Sequence, residues 1–222
     1  MVFAKTADIK NPPSLREQVE RSISAAITSG QLEPKELLTV PTLASDFEVS
    51  ATPVREALLE LARRGFLEPV KNKGFRVTDV SEDELHSIAN IRMLLEPPTM
   101  GAIAPGFDVS RESEMRELAD RIQEGAETND LKLYLECDVE FHARLTDMVG
   151  NPLLTDMISD LRARARLRNL KRMAESGRLA ASAAEHYELL DALVSQDAKL
   201  AEEIMHRHVG HTVGIWAGRE EV

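Results

Sequence analysis

Residues 43–77 read LASDFEVSATPVREALLELARRGFLEPVKNKGFRV, and the order of local signals in that stretch decides the fold. Ser50-Ala51-Thr52-Pro53 marks a helix start, because Ser and Thr oxygens accept from the free N–H groups of a first turn and Pro is tolerated there. Val54, Ala57, Leu58, Leu61 and Ala62 then recur at helical spacing and define one buried face. Thr52, Arg55 and Glu56 lie off that face near the helix start, and Gly65 ends the helix. Residues 66–70 and 75–77 predict two short strands around Lys71-Asn72-Lys73-Gly74, a turn signal carrying two cations. A short helix, a turn, an amphipathic helix and a basic hairpin are the layout of a winged helix-turn-helix. Such a domain offers the N-terminal end of its second helix to base edges and phosphates.

The string VSATPVREALLELARRGFLEPVKNKGFRV resembles the DNA-binding domain of the GntR family of bacterial transcription regulators. The family pattern there is close to VSRTPVREAL, followed by a Leu-rich helix end, Gly-Leu and an RGxFV wing. The resemblance extends over residues 15–78 and implies a homodimer gripping a palindromic operator in double-stranded DNA. The DNA-binding candidates are Ser50, Thr52 and Arg55 on the helix, and Lys71, Asn72, Lys73 and Gly74 on the wing. Two departures bear on specificity. Ala51 stands where the family usually has Arg, and Pro41-Thr42 stand where a charged pair often precedes the Leu-Ala of the first helix. The resemblance therefore carries over the activity and not the operator sequence.

A net charge of −11 looks wrong for a DNA binder until it is divided along the chain. Residues 1–80 hold 11 Lys/Arg and 11 Asp/Glu, whereas residues 81–222 hold 16 and 27. All the excess acid lies outside the DNA-binding segment, whose cations sit at the helix start and the wing. Aromatic residues make up only 4% of the chain while Ala, Leu and Glu abound, which favours a mainly α protein. No apolar run approaches membrane-spanning length, and the first residues lack the apolar core of a signal peptide, so the expected location is the cytoplasm with no membrane partner. Cys137 is the single cysteine, which excludes an internal disulfide and a multi-cysteine zinc cluster; it reads as a packed, inert thiol.

The expected organisation is an arm over residues 1–13, a winged helix-turn-helix of three helices plus a small β-hairpin over 14–79, and an all-α bundle of about six helices over 80–222. Residues 32–41 read as a connector. Ser81 is a capping-box candidate through Glu84. Bundle helices are expected near 82–104, with a bend at Pro97-Pro98, and near 110–127, 131–149, 152–173, 179–195 and 198–217.

Polar residues interrupt the apolar stripes of this bundle. Asp138 and His142 fall one turn apart on the inward face of the third helix, His186 lies on that of the fifth and His208 on that of the sixth. Burying one carboxylate and three imidazoles without partners is expensive, and a divalent ion such as zinc, nickel or manganese satisfies all four. A lone inward His is more often a hydrogen-bonded core residue, and Asp138 with His142 can be a simple i,i+4 pair; four such residues in one bundle favour the metal. His206 falls off these stripes, His211 lies only partly on one, and His86 sits near the joint between the two parts.

The C-terminal half also resembles the FCD ligand-binding domain of the FadR subfamily, through Arg92-x3-Glu96, Asp138-x3-His142 within DVEFH, Glu185-His186 and His208. That resemblance implies that Asp138, His142, His186 and His208 hold a metal. Arg92, Arg164 and Arg168 read as cations on inward faces, candidates to bind a small carboxylate or hydroxy-acid effector that completes the coordination sphere. The alternative for the arginines is outward snorkelling or pairing with Asp or Glu. The expected protein is a regulator, by family default a repressor, and not an enzyme. A purely structural metal is the nearest alternative. A metalloenzyme is the remoter one, since no spare base marks itself beside the four ligands.

Overall fold

A computed structural model describes residues 13–28, 30–166 and 179–217. The arm expected over residues 1–13, save its last residue, lies outside them, as does Arg168.

Helix α1 (Leu15–Thr28) begins at a reciprocal capping box. Ser14 N donates to the Glu17 carboxylate at 2.8 Å and Glu17 N to the Ser14 hydroxyl at 3.3 Å. Strand β1 (Leu37–Leu38) follows, inside the stretch that reads as a connector. Two residues are too few to show an alternating pattern, so only the pairing with a later strand reveals it. Helix α2 (Val40–Asp46) is capped by the Thr39 hydroxyl, which accepts from Thr42 N. Helix α3 (Ala51–Arg63) buries Val54, Ala57, Leu58 and Leu61 of the predicted stripe against Val19, Ile23 and Ile27 of α1, with Ala62 partly buried. Ser50 has the extended backbone of an N-cap, but its hydroxyl makes no capping bond. Gly65, at φ +82°, turns the chain out of the helix, a conformation that costs glycine little.

Strands β2 (Leu67–Val70) and β3 (Gly74–Val77) form the wing, and the antiparallel sheet has the order β1-β3-β2. Val70 pairs with Gly74, which leaves Lys71, Asn72 and Lys73 as the loop, with Asn72 left-handed at φ +59°. Gly74 has φ +127°, and a Cβ there would collide with the Leu38 carbonyl oxygen. Its glycine is therefore a requirement of the β1–β3 approach.

The second part consists, among the described residues, of α4 (Glu82–Ile103), α5 (Glu112–Thr128), α6 (Leu131–Asp147), α7 (Pro152–Arg166), α8 (Leu179–Val194) and α9 (Ala198–Ala217). Ser81 caps α4 by accepting from Glu84 N at 3.2 Å. Only half of the expected capping box is used, because the Glu84 carboxylate pairs with Arg164. Helix α4 runs on through Pro97 and Pro98, which remove the N–H donors due to the carbonyls of Met93 and Leu94. Helix α9 lies along α4 and α8, and α5 packs between α6 and α8. Met115, Ala119, Ile122, Phe141, Leu145, Leu189, Leu190, Leu193 and Met205 are completely or almost completely buried in this core. Cys137 is buried among them, and burial pushes its thiol pKa up, as expected of an inert packed residue.

Candidate metal centre

Asp138 and His142 sit four residues apart on α6, so their side chains emerge from one face, one turn apart. That face meets His186 from α8 and His208 from α9, and all four residues are between 1% and 4% exposed. One donor atom from each lies within 4.8 Å of the others. His142 Nε2 is 3.1 Å from His186 Nε2, His186 Nε2 is 3.2 Å from Asp138 Oδ1, and His142 Nε2 is 3.7 Å from the same oxygen. Two donors held at about 2.1 Å from one ion at octahedral or tetrahedral angles stand about 3.0–3.4 Å apart; the 3.1 and 3.2 Å separations fall in that range, and the 3.7 Å one lies just beyond it.

The outer nitrogens are already committed. His186 Nδ1 sits 3.1 Å from the carbonyls of both Ser182 and Ala183, and His208 Nδ1 is 2.7 Å from Glu185 Oε2. Such bonds fix the tautomer and assign ligation to Nε2. Burial first, and then the positive field of Arg162, lowers the pKa of His186 to about 4. For His208 burial again dominates, opposed by the bond from Glu185, and the result is also about 4. His142 is driven well below its ordinary value by burial and by Arg162. Three neutral imidazoles and a carboxylate form the donor set that a divalent ion takes, so the residues present fit one.

A second charged layer lies behind the first. Glu96 accepts from Arg92 Nε at 2.5 Å and from Arg162 at 2.5 Å, and Arg162 also donates to Asp138 Oδ2 at 3.3 Å. All three outer residues are 6% exposed or less. Burial raises the Glu96 pKa, but Arg92 and Arg162 outweigh it and hold the carboxyl at about 2. The two arginines and two carboxylates balance.

This layer corrects the sequence expectation at α7. The expected inward face is Leu154, Met157/Ile158 and Leu161, continued by Arg164 and Arg168; Ile158 is buried as expected, but Arg162 and Ala165 are the buried residues beyond it, and Met157 is 46% exposed. Met157 and Ile158 open two adjacent stripes, one continuing through Leu161 and the other through Arg162 and Ala165, and periodicity favours the first because Leu161 is apolar. Periodicity does not reveal Arg162 on the inward stripe, because its burial depends on carboxylates from α4 and α6. The signal available was the surplus acid at Glu96. Arg92 faces inward as expected but is already paired. Arg164 points away from the centre, to Glu84 and over Gly65. Glu185 orients His208, a role that its place beside His186 in the sequence does not signal.

At the other end of the molecule Ser50, Thr52 and Arg55 are exposed at the start of α3, as are Lys71, Asn72 and Lys73 at the wing tip. Helix end and wing thus present the cations whose presence the sequence indicated.

Comparison with known proteins assigns the two parts separately. Residues 15–77 match the family described as bacterial regulatory proteins, gntR family, and residues 87–211 match the FCD domain. The HTH-type transcriptional repressor GlaR of Escherichia coli (strain K12) is 30% identical over 193 residues, covering 82% of this chain and 87% of that protein. The HTH-type transcriptional regulator McbR of the same strain is 29% identical over 148 residues, 67% of each chain. A solved structure, E. coli McbR/YncC, superposes with a TM-score of 0.83 at 25% identity, covering 92% of this chain and 98% of that one. These relatives are transcription regulators, not enzymes. No helix of the described residues is long and apolar enough to cross a membrane.

Proposed function

The chain belongs to the GntR family of bacterial transcription regulators and carries an FCD domain, and on that premise we propose that its bundle binds a divalent metal ion together with a small organic acid to modulate operator binding by a homodimer in the cytoplasm. One observation carries the reading. Four buried donors from three helices converge within 4.8 Å, and the imidazoles among them are neutral at physiological pH.

Asp138, His142, His186 and His208 are the proposed ligands, with zinc, nickel or manganese as the ion. A bound ion would supply a Lewis-acid position for a carboxylate or hydroxyl oxygen. Arg162 replaces Arg164 as the arginine proposed to receive the acid, because Arg162 reaches the donor cluster through Asp138 Oδ2 whereas Arg164 pairs with Glu84; the Arg162 Nε is also buried with no hydrogen-bond partner among the described residues. Because Glu96 and Asp138 already balance Arg92 and Arg162, a divalent ion would leave the centre positive and favour an anion. On the DNA side, Thr52 and Arg55 are proposed to reach bases or phosphates, with Ser50, Lys71, Asn72, Lys73 and Gly74 positioning the backbone. Repression is the proposed sense, in keeping with the name of the repressor relative. The acid acts by favouring one arrangement of the bundle helices over another, which shifts the population of DNA-competent dimers.

The test is to select a binding site from a random duplex library and then titrate metal-loaded protein onto it with a panel of mono-, di- and hydroxycarboxylic acids. The expected result is sequence-selective binding that at least one acid shifts by roughly fivefold or more. Unselective binding would remove the DNA reading, and affinity that no acid changes would remove the effector.

A further inference from the structure

Helix α7 touches both parts of the molecule with opposite faces. Residues two apart on a helix point about 200° apart, whereas residues four apart share a side. Arg162 accordingly enters the bundle, bonded to Glu96 and Asp138, while Asp160 and Arg164 share the other side. Asp160 accepts from Arg64 at 2.8 Å, and Arg64 also donates to Glu20 of α1 at 2.8 Å. Arg64 is the C-cap residue of α3, so α7 holds the end of the recognition helix that lies away from the DNA. Four residues further on, Arg164 pairs with Glu84 at the start of α4 and lies over Gly65, where a Cβ would stand 3.1 Å from its Nε. The guanidinium stem thus packs against the turn that leads from α3 to β2. Arg64, Asp160 and Arg164 are between 25% and 35% exposed, and Glu84 36%. An isolated pair of this kind contributes little, but two pairs and a packed turn within five residues of one helix constrain its position together.

We propose that α7 transmits the state of the metal centre to the recognition helix, with Arg162 as the inner contact and Asp160 and Arg164 as the outer ones. The proposal rests on the metal-centre reading above. Asp138 turns Oδ1 toward the imidazoles and Oδ2 toward Arg162. Any rotation of that carboxylate to engage an ion therefore moves one of the two carboxylates that hold Arg162, the other being Glu96. Arg162 shifts α7, and Asp160 and Arg164 pass the shift to Arg64 and Gly65. Asp160 and Arg164 are positioning residues here; neither touches the donor cluster.

Hydrogen exchange of the full-length protein, with and without stoichiometric zinc, tests this without knowledge of operator or effector. In the wild type, zinc slows exchange in α6, α8 and α9 and changes it by about fivefold at residues 60–67. In Asp160→Asn/Arg164→Met the response of α6, α8 and α9 persists and that of residues 60–67 is lost. The charge-swapped pair Glu84→Arg/Arg164→Glu recovers part of it and guards against a trivial folding defect. An unchanged response at residues 60–67 in the first variant overturns the proposal. So does a wild type in which α6, α8 and α9 respond but residues 60–67 do not. Zinc that protects none of these helices strikes the metal-centre reading instead, and transmission falls with it.

Discussion

The two parts of the molecule dispose of their polar groups in opposite ways. The winged helix buries an unbroken apolar stripe from α3 and keeps Thr52, Arg55, Lys71 and Lys73 in solvent. The bundle buries Arg92, Glu96, Asp138, His142, Arg162, Glu185, His186 and His208 at its centre. An exposed site adds nothing to the cost of folding, so its residues can change with little effect on stability. A buried charged site must be balanced group by group, so each of its members affects stability as well as binding.

The largest expected contrast follows directly. Glu96→Ala leaves Arg92 and Arg162 buried with only Asp138 between them, and should destabilise the protein by about 3–5 kcal/mol in urea unfolding. Arg55→Ala should leave stability within about 0.5 kcal/mol yet weaken operator binding by about 1–3 kcal/mol, read by fluorescence anisotropy. If both variants lose stability equally, the contrast between the two parts is wrong.

Acid sharpens the same contrast. His186 and His208 have folded-state pKa values near 4, below their ordinary 6.5, so between those pH values the unfolded chain binds more protons. Stability of the metal-free protein is therefore full above about pH 6.5 and is lost as pH falls toward 4. Glu96, held at about 2, works in the same direction at lower pH. Thermal melts of metal-free protein should drop by on the order of 10 °C between pH 7 and pH 4.5, with hydrogen exchange rising first in α6, α8 and α9. Uniform loss across the chain would contradict a bundle-centred origin.

The smallest effect lies at the wing. Lys71→Ala and Lys73→Ala should each weaken DNA binding at all sequences alike and reduce the salt slope by roughly one per lysine contact. A change in sequence preference would instead make one of them a base reader.

The difference between the parts also explains what the sequence disclosed. The stripe of α3 and the wing turn show in the sequence because helical periodicity and turn chemistry act over a few residues, whereas the demand for glycine at 74 comes from the Leu38 carbonyl, 36 residues away. The four candidate ligands were legible because each interrupts an otherwise apolar stripe. Strand β1 was not, since a two-residue strand exists only through its partner β3. Arg162 was not either: what buries it is Glu96, 66 residues away, and Asp138, 24 residues away. Pairing across helices leaves no period in the sequence, and an arginine on α7 looks solvated until its carboxylates are in place.

Everything proposed for the bundle depends on its polar heart being a metal centre. The direct measurement is elemental mass spectrometry of the purified wild type beside His142→Ala/His186→Ala. A metal centre requires about one divalent ion per chain in the wild type and its loss in the variant. Wild-type protein that holds no zinc, nickel or manganese, even after incubation with each, would contradict it.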